Sequence, residues 1–365
     1  MRFHGSSPDY FLLALVCLLT VAGLVILSSA SSDLGKIRFN DSYYYLKHQL
    51  LYGLSLGLAG FFFGFLVPYR HYRRYAFPLL LVSLVLLALV FTKLGVSSGG
   101  ASRWLSLGSF TFQPSELLKL TYVLYLAAWL ANPKANRVRD LREGIIPFLI
   151  VSGVVASLLF FQPATSVVVI LLAVGCAMYF MSGLPMKHLL GMVLVGIAVI
   201  GIVVWATPYR RARILTFLHP SDDTRGSSYQ INQTLTAIGS GRLWGMGYGA
   251  SPSKVNYLPA PLDDSIFAVA AQELGFIGSA SLAFLFLLLV FRMLWIAKHT
   301  RERFGQLLLV GFALVIGFQS LVNMGAISGL FPLTGVSLPF VSYGGTALAV
   351  FLTMSGIALN VSKYS

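Results

Sequence analysis

Charge is scarce in this chain of 365 residues: only 10% of its side chains are charged, against 57% that are hydrophobic. A soluble chain cannot cover that much apolar surface with so little polar material, whereas a bilayer accepts it. Acid is scarcer still, with 12 Asp and Glu against 26 Lys and Arg and a net charge of +14. That excess does not read as a nucleic-acid surface. The basic residues cluster in short segments between apolar runs, where they anchor and orient a membrane protein. Only two cysteines occur, Cys17 and Cys176, both inside apolar runs. They make no CxxC pair and no disulfide framework. Walker A, HExxH and metal-spaced His/Cys patterns are all missing. Gly245, Gly247 and Ala250 nominally fit GxGxxA, but they lie in a polar loop without a βαβ frame, where tight turns account for them. With no nucleotide site legible, the energy for any group transfer must already reside in the substrate.

What is present is a series of apolar runs, roughly 10–29, 50–67, 77–92, 115–131, 145–161, 167–181, 189–206, 265–296, 307–325 and 340–361. Each approaches the roughly 20 residues that a helix needs to cross the hydrocarbon. The expected fold is therefore an all-α polytopic membrane protein. It has about ten spans and one long outer loop, about 207–264, between the seventh and eighth. The first run is too long for a typical signal peptide and reads as a retained helix. Residues 1–365 form a single transmembrane domain on this reading.

Basic residues set the orientation. With the N-terminus inside, the cytoplasmic segments carry Arg2, Arg70, Arg73, Arg74, Lys134, Arg137, Arg139, Arg142, Lys187, Arg292, Lys298, Arg301, Arg303 and Lys363. The short outer loops carry only Lys36, Arg38, Lys47, Lys93 and Arg103. Both termini are expected in the cytoplasm.

Glu116 and Lys119 stand inside the fourth run at a spacing that lets them pair on one helix face. Charge in the bilayer usually faces an internal cavity, so the pair reads as the charged lining of a polar substrate cavity. Pinning one helix to another is the alternative. Glu273 follows Asp264 in the eighth run. On one continuous helix the two would point to opposite faces, a poor arrangement for a paired-carboxylate site. Asp264 itself precedes an apolar stretch, as a helix N-cap would.

Four ordered blocks carry a resemblance. They are Gly100-Ala101-Ser102-Arg103-Trp104-Leu105; Phe112-Gln113-Pro114-Ser115-Glu116; Tyr257-Leu258-Pro259 leading through Asp264 and Ile266-Phe267-Ala268-Val269 to Glu273-Leu274-Gly275; and Gly335-Val336-Ser337-Leu338-Pro339-Phe340-Val341-Ser342-Tyr343-Gly344-Gly345. Together they resemble the SEDS family (shape, elongation, division and sporulation), the polytopic glycosyltransferases of bacterial wall synthesis. The likeness runs over nearly the whole chain. Ala101-Ser102-Arg103-Trp104 and Ser253-Lys254 look more like the division branch (FtsW-like) than the elongation branch (RodA-like). The chain departs from the family pattern at three places. Leu262-Asp263 stands where His-Thr is usual, and Ala260 replaces a Glu. Gln162-Pro163-Ala164-Thr165-Ser166 lacks the acid of Gln-Pro-Asp-x-Gly-Thr.

The resemblance implies polymerisation of lipid II, a disaccharide-pentapeptide on undecaprenyl diphosphate, in the bacterial cytoplasmic membrane. Asp264 would be the general base, with Asp263 its neighbouring rival. The leaving diphosphate needs cationic help, for which Arg210, Arg213, Arg103, Lys119 and Lys254 are candidates. Glu116 and Gln233 complete the expected substrate-binding set. No organic cofactor is implied; a divalent cation could share the diphosphate's charge, but no ligand set identifies one. A class B penicillin-binding protein, a single-pass transpeptidase, is the implied partner, with other divisome or elongasome membrane proteins. A flippase for the lipid-linked sugar and a non-catalytic division scaffold are the rival functions.

Overall fold

The structure, a computed structural model, describes residues 7–98, 101–107, 110–132, 140–219, 228–251 and 262–364. Its spanning helices begin with α1 (Tyr10–Phe39), α2 (Tyr44–Leu66) and α3 (Arg70–Leu89). A three-stranded antiparallel sheet follows, β1 (Gly95–Ser98), β2 (Ala101–Leu107) and β3 (Phe110–Phe112) in the order β1-β2-β3. Then come α4 (Pro114–Leu130), α5 (Leu141–Phe161), α6 (Thr165–Met181) and α7 (Met186–Ala206). The long loop after α7 contains two helices, α8 (Pro208–Leu218) and α9 (Tyr229–Ser240). The chain closes with α10 (Ile266–His299), α11 (Arg303–Ile327) and α12 (Gly345–Ser362).

The protein is a helical polytopic membrane protein. Among the described residues eight helices are long and apolar enough to cross a bilayer: α1, α2, α3, α5, α7, α10, α11 and α12. α6 is apolar but only 17 residues long. α4 is also 17 residues long and carries Glu116 and Lys119. Each of the ten apolar runs thus falls on one of these ten helices. Two features depart from the reading by hydropathy, which sees only long apolar stretches. The connection before α4 is a small sheet, and the loop about 207–264 is partly helical.

α4, α11 and α12 form the centre, with most of their residues buried, whereas α7 buries none. α2 and α12 approach closely because small residues line their contact: a Cβ added at Gly356 of α12 would collide with the Phe61 backbone carbonyl of α2. α10 is broken where the sequence suggested continuity. Gly275 sits at φ 69°, ψ −168° inside it. The break leaves the carbonyls of Gln272 and Glu273 to accept from the amides of Met246 (3.0 Å) and Gly247 (3.1 Å) in the long loop. Glu273 accepts from Ser29 Oγ at 2.6 Å and ties α10 to α1.

Gly356→Val is expected to force α2 and α12 apart and cost about 2 kcal/mol. Thermal unfolding in detergent reads it as a lower midpoint than wild type.

Candidate active site

The turn Leu262–Ser265 enters α10 and carries two adjacent acids. It is pinned from both sides: Asn323 Nδ2 donates to the Asp264 carbonyl at 2.9 Å, and the Tyr343 amide donates to the Leu262 carbonyl at 2.9 Å. Ser265 occupies the N-cap position of α10 and makes no side-chain cap bond. The capping role anticipated for Asp264 therefore belongs, by position, to its neighbour. The Asp264 carboxylate faces Arg213, Gln230 and Ser265, whose Oγ lies 3.5 Å from Oδ1. A Cβ added at Gly335 would stand 3.7 Å from Oδ2, so the 335–338 loop forms one wall. Asp263 has another outlook, toward Tyr343.

Burial lifts the Asp264 carboxyl above its ordinary value. Its own backbone amide, the Arg213 charge and hydrogen bonds from Gln230 and Ser265 pull the other way without cancelling the shift. Asp263 is reached by water at its tip yet crowded by protein. That crowding first, and the Asp264 charge second, push it up to about 6. The Asp264 charge is thus felt at Asp263.

Two cavities lie on the far side of Arg213 from this turn, whose own residues line neither. The smaller, about 250 Å³, is bordered by Arg213, Thr216, Gln230, Ile231 and Phe331. The larger, about 370 Å³, joins apolar Val169, Val204, Ile214 and Val322 to Arg210 and Arg213. Tyr209, Arg213, Phe331 and Leu333 line both. Gln230 links the smaller cavity to the acids, since it bonds Ser265 Oγ at 3.3 Å and supports the Asp264 carboxylate.

Three of the anticipated cations come together here. Arg213 Nη1 donates to the Leu333 carbonyl at 3.1 Å, with its guanidinium 4.9 Å from the Tyr209 ring centroid. Arg210 donates to the Phe160 carbonyl at 2.7 Å and to Thr207 Oγ1 at 3.2 Å, while its buried Nε has no partner. Arg103 donates to the carbonyls of Gln162 (3.2 Å) and Pro163 (2.7 Å), lies within the fields of Arg213 and Asp264, and has its pKa lowered by burial. Arg103 and Arg210 thus satisfy the free carbonyls at the C-terminal end of α5.

The other expectations fare differently. Lys119 is fully buried and lines neither cavity. Its Nζ donates to Glu116 Oε1 at 2.7 Å and to Gln319 Oε1 at 2.6 Å. The anticipated charged cavity lining is corrected to a buried pin between α4 and α11: the ammonium has carboxylate and amide oxygens in reach, and exposing it to a cavity would forfeit both. Gln233 is half-buried on α9, and the glutamine beside the acids is Gln230, one turn earlier. Lys254, with Tyr257, Leu258 and Pro259, lies outside the described residues. Gln230, Tyr209, Gln319 and Asn323 were not singled out by sequence. Tyr229-Gln230-Ile231-Asn232-Gln233 offers several amides, and only the helix phase separates them. The two amides on α11 lie in an apolar run, where a Gln and an Asn four residues apart were the available signal.

A model of the cell cycle protein family of FtsW, RodA and SpoVE matches residues 9–365. The chain belongs to this family. It is 36% identical to the stage V sporulation protein E of Bacillus subtilis (strain 168), over all of both chains. It is 37% identical to a probable peptidoglycan glycosyltransferase FtsW of Geobacter sp. (strain M18), over 97% of this chain and 96% of that one. Among solved structures, a chain from work on the structural coordination of polymerization and crosslinking by a peptidoglycan synthase complex superposes with a TM-score of 0.81 at 30% identity. That match covers 98% of this chain and 99% of the other. The FtsW/RodA/SpoVE likeness therefore extends well beyond the four motif blocks.

Arg103→Ala would leave the Gln162 and Pro163 carbonyls without their charged donor. A loss of about 1.5–3 kcal/mol in stability is expected, with partial recovery in Arg103→Lys, read from unfolding midpoints in detergent.

Proposed function

We propose that the pair of cavities and the acidic turn polymerise lipid II, with Asp264 as general base and undecaprenyl diphosphate as leaving group. As a member of its family the chain is a membrane-bound peptidoglycan glycosyltransferase. The observation that carries the mechanism is a partly open carboxylate in the field of Arg213 and bonded to Gln230, two side chains that line the smaller cavity, with burial raising its pKa. A base needs a pKa close to the working pH, and burial moves this carboxyl in that direction.

In the reaction the acceptor GlcNAc 4-hydroxyl loses its proton to Asp264 as its oxygen bonds to C1 of the donor sugar. The bond from C1 to the lipid diphosphate breaks, the diphosphate leaves with the electron pair, and the anomeric centre inverts. Arg213 and Arg210 meet the charge that builds on the leaving group. The larger cavity, apolar along Val169, Val204, Ile214 and Val322, receives the start of the prenyl chain. Arg103 supports the arginine pair from β2, and Lys254 and Gln233 remain candidates for sugar and peptide contacts. Glu116 and Lys119 act from behind the site. A divalent cation shares the diphosphate's charge if one is required, and no organic cofactor takes part. The protein works in the bacterial cytoplasmic membrane with both termini inside and the acidic turn outside. Its partner is a single-pass class B penicillin-binding transpeptidase, within a divisome or elongasome of other membrane proteins and without nucleic acid. The likeness to SpoVE and FtsW supports division or sporulation over elongation.

With purified protein and lipid II in detergent, with and without the transpeptidase, wild type should yield glycan chains, a product that flipping alone cannot make. Asp264→Asn should lower the rate by at least about 100-fold; glycan formed at the wild-type rate by this variant ends the mechanism. The rate should also fall on acidification with a midpoint above that of an ordinary carboxylate, because the base must be ionised. Asp263→Asn removes a like charge, eases ionisation of Asp264 and should move that midpoint to lower pH.

A further inference from the structure

Two amides sit one turn apart on the same face of α11. Gln319 and Asn323 are both essentially without exposed surface. Gln319 Oε1 accepts from Lys119 Nζ, which fixes the amide's orientation. Its Nε2 then donates to the Ser337 carbonyl at 2.9 Å and approaches Ser337 Oγ at 3.4 Å. Asn323 Nδ2 lies between two carbonyls, Val336 at 2.7 Å and Asp264 at 2.9 Å, so both contacts require it to donate. Asn323 Oδ1 has no partner. One polar line therefore runs from Glu116 through Lys119 and Gln319 to the 336–337 backbone, and from there through Asn323 to the backbone of Asp264. The same line sets the position of the wall beside the Asp264 carboxylate, because Gly335 directly precedes the two tethered residues.

We propose that Asn323 and Gln319, anchored by the buried Glu116–Lys119 pair, are positioning residues that fix the Asp264 carboxylate against the 335–337 wall. The inference rests on the reading of Asp264 as the base. It assigns the intramembrane charge pair a task at a distance: Lys119 orients Gln319, and Gln319 holds the loop that Asn323 joins to the acidic turn. Both amides are buried with their donors spent on backbone carbonyls, which gives them a positioning role rather than a substrate contact. Buried polar side chains that satisfy backbone carbonyls in this way cost desolvation if only half their bonds are made, which favours one geometry over its neighbours. The groups facing Asp264 are otherwise Arg213 on α8 and Arg103 on β2, Gln230 on α9, and Ser265 and Asp263 within its own turn.

Two variants test this with lipid II as the probe. Asn323→Leu keeps the branched heavy-atom skeleton, though it is bulkier, and removes both N–H donors. Displacing the base by a fraction of an ångström should lower kcat by roughly 10- to 100-fold, while KM for lipid II stays within about twofold. Asn323→Asp is nearly isosteric. Buried between the Val336 and Asp264 carbonyl oxygens, its carboxyl stays protonated and offers one O–H donor, so it can hold one carbonyl of the two; kcat should recover at least about fivefold over Asn323→Leu at unchanged KM, which a packing role alone would not produce. A kcat within twofold of wild type in Asn323→Leu, or no recovery in Asn323→Asp, overturns the proposal; if the leucine variant does not fold, a kcat of the aspartate variant equal to wild type overturns it. An active Asp264→Asn would instead remove the base on which the inference stands, whatever the Asn323 variants do.

Discussion

Backbone that leaves the helix inside a membrane protein must find partners for its N–H and C=O groups, because lipid offers none. The 330–344 segment between α11 and α12 is irregular, and its partners are backbone groups together with buried and half-buried side chains. Ser166 serves the Thr334 carbonyl at 3.1 Å, Gln319 that of Ser337, and Asn323 that of Val336, while Arg213 serves Leu333. Ser342 accepts from the Leu338 amide at 2.8 Å, and Gln49 from that of Gly344 at 3.1 Å. The polar residues of the central helices are explained by this need before any substrate is considered. The acidic turn benefits because it shares the same donors.

The same constraint separates the two kinds of acid. Glu116 and Glu273 lie in helices and hold neighbouring helices through Lys119 and Ser29. Asp263 and Asp264 lie in a turn that water reaches, with carboxyls raised by crowding and not matched by a full salt bridge. Glu116 has Lys119 on Oε1 while its buried Oε2 has no partner, and the short ion pair fixes it as scaffolding. A carboxyl that lacks such a pair is poised to accept a proton.

Sequence revealed the helices well because spanning imposes length and apolarity, and all ten runs fall on helices. Asp264 stood out through its place in the family motif, since by position alone it read as a helix cap; Arg103 and Arg213, candidates on the same ground, lie within its field, and Arg210 shares the larger cavity with Arg213. Sequence placed Lys119 on a cavity wall and did not separate Gln233 from Gln230 for one reason: hydropathy and spacing fix a residue's height and helix phase but not which neighbour stands opposite. Gln319 opposite Lys119 is a contact across 200 residues. The break at Gly275 escaped notice because a glycine in an apolar run is as common within helices as at their interruptions, and only the loop amides that dock there distinguish the cases. The sheet before α4 was hidden by strands of three to seven residues, too short for alternation to register.

α7 buries none of its residues fully, and the adjoining α8 shares that trait; α7 rests on the core only through part-buried side chains such as Leu189 and Met192, while Val204 lines the larger cavity. A helix that stakes so little on its neighbours is kept in place chiefly by its own apolarity. Exchanges among its outward side chains are therefore cheap as long as they remain apolar, and a single charge there is the costly change.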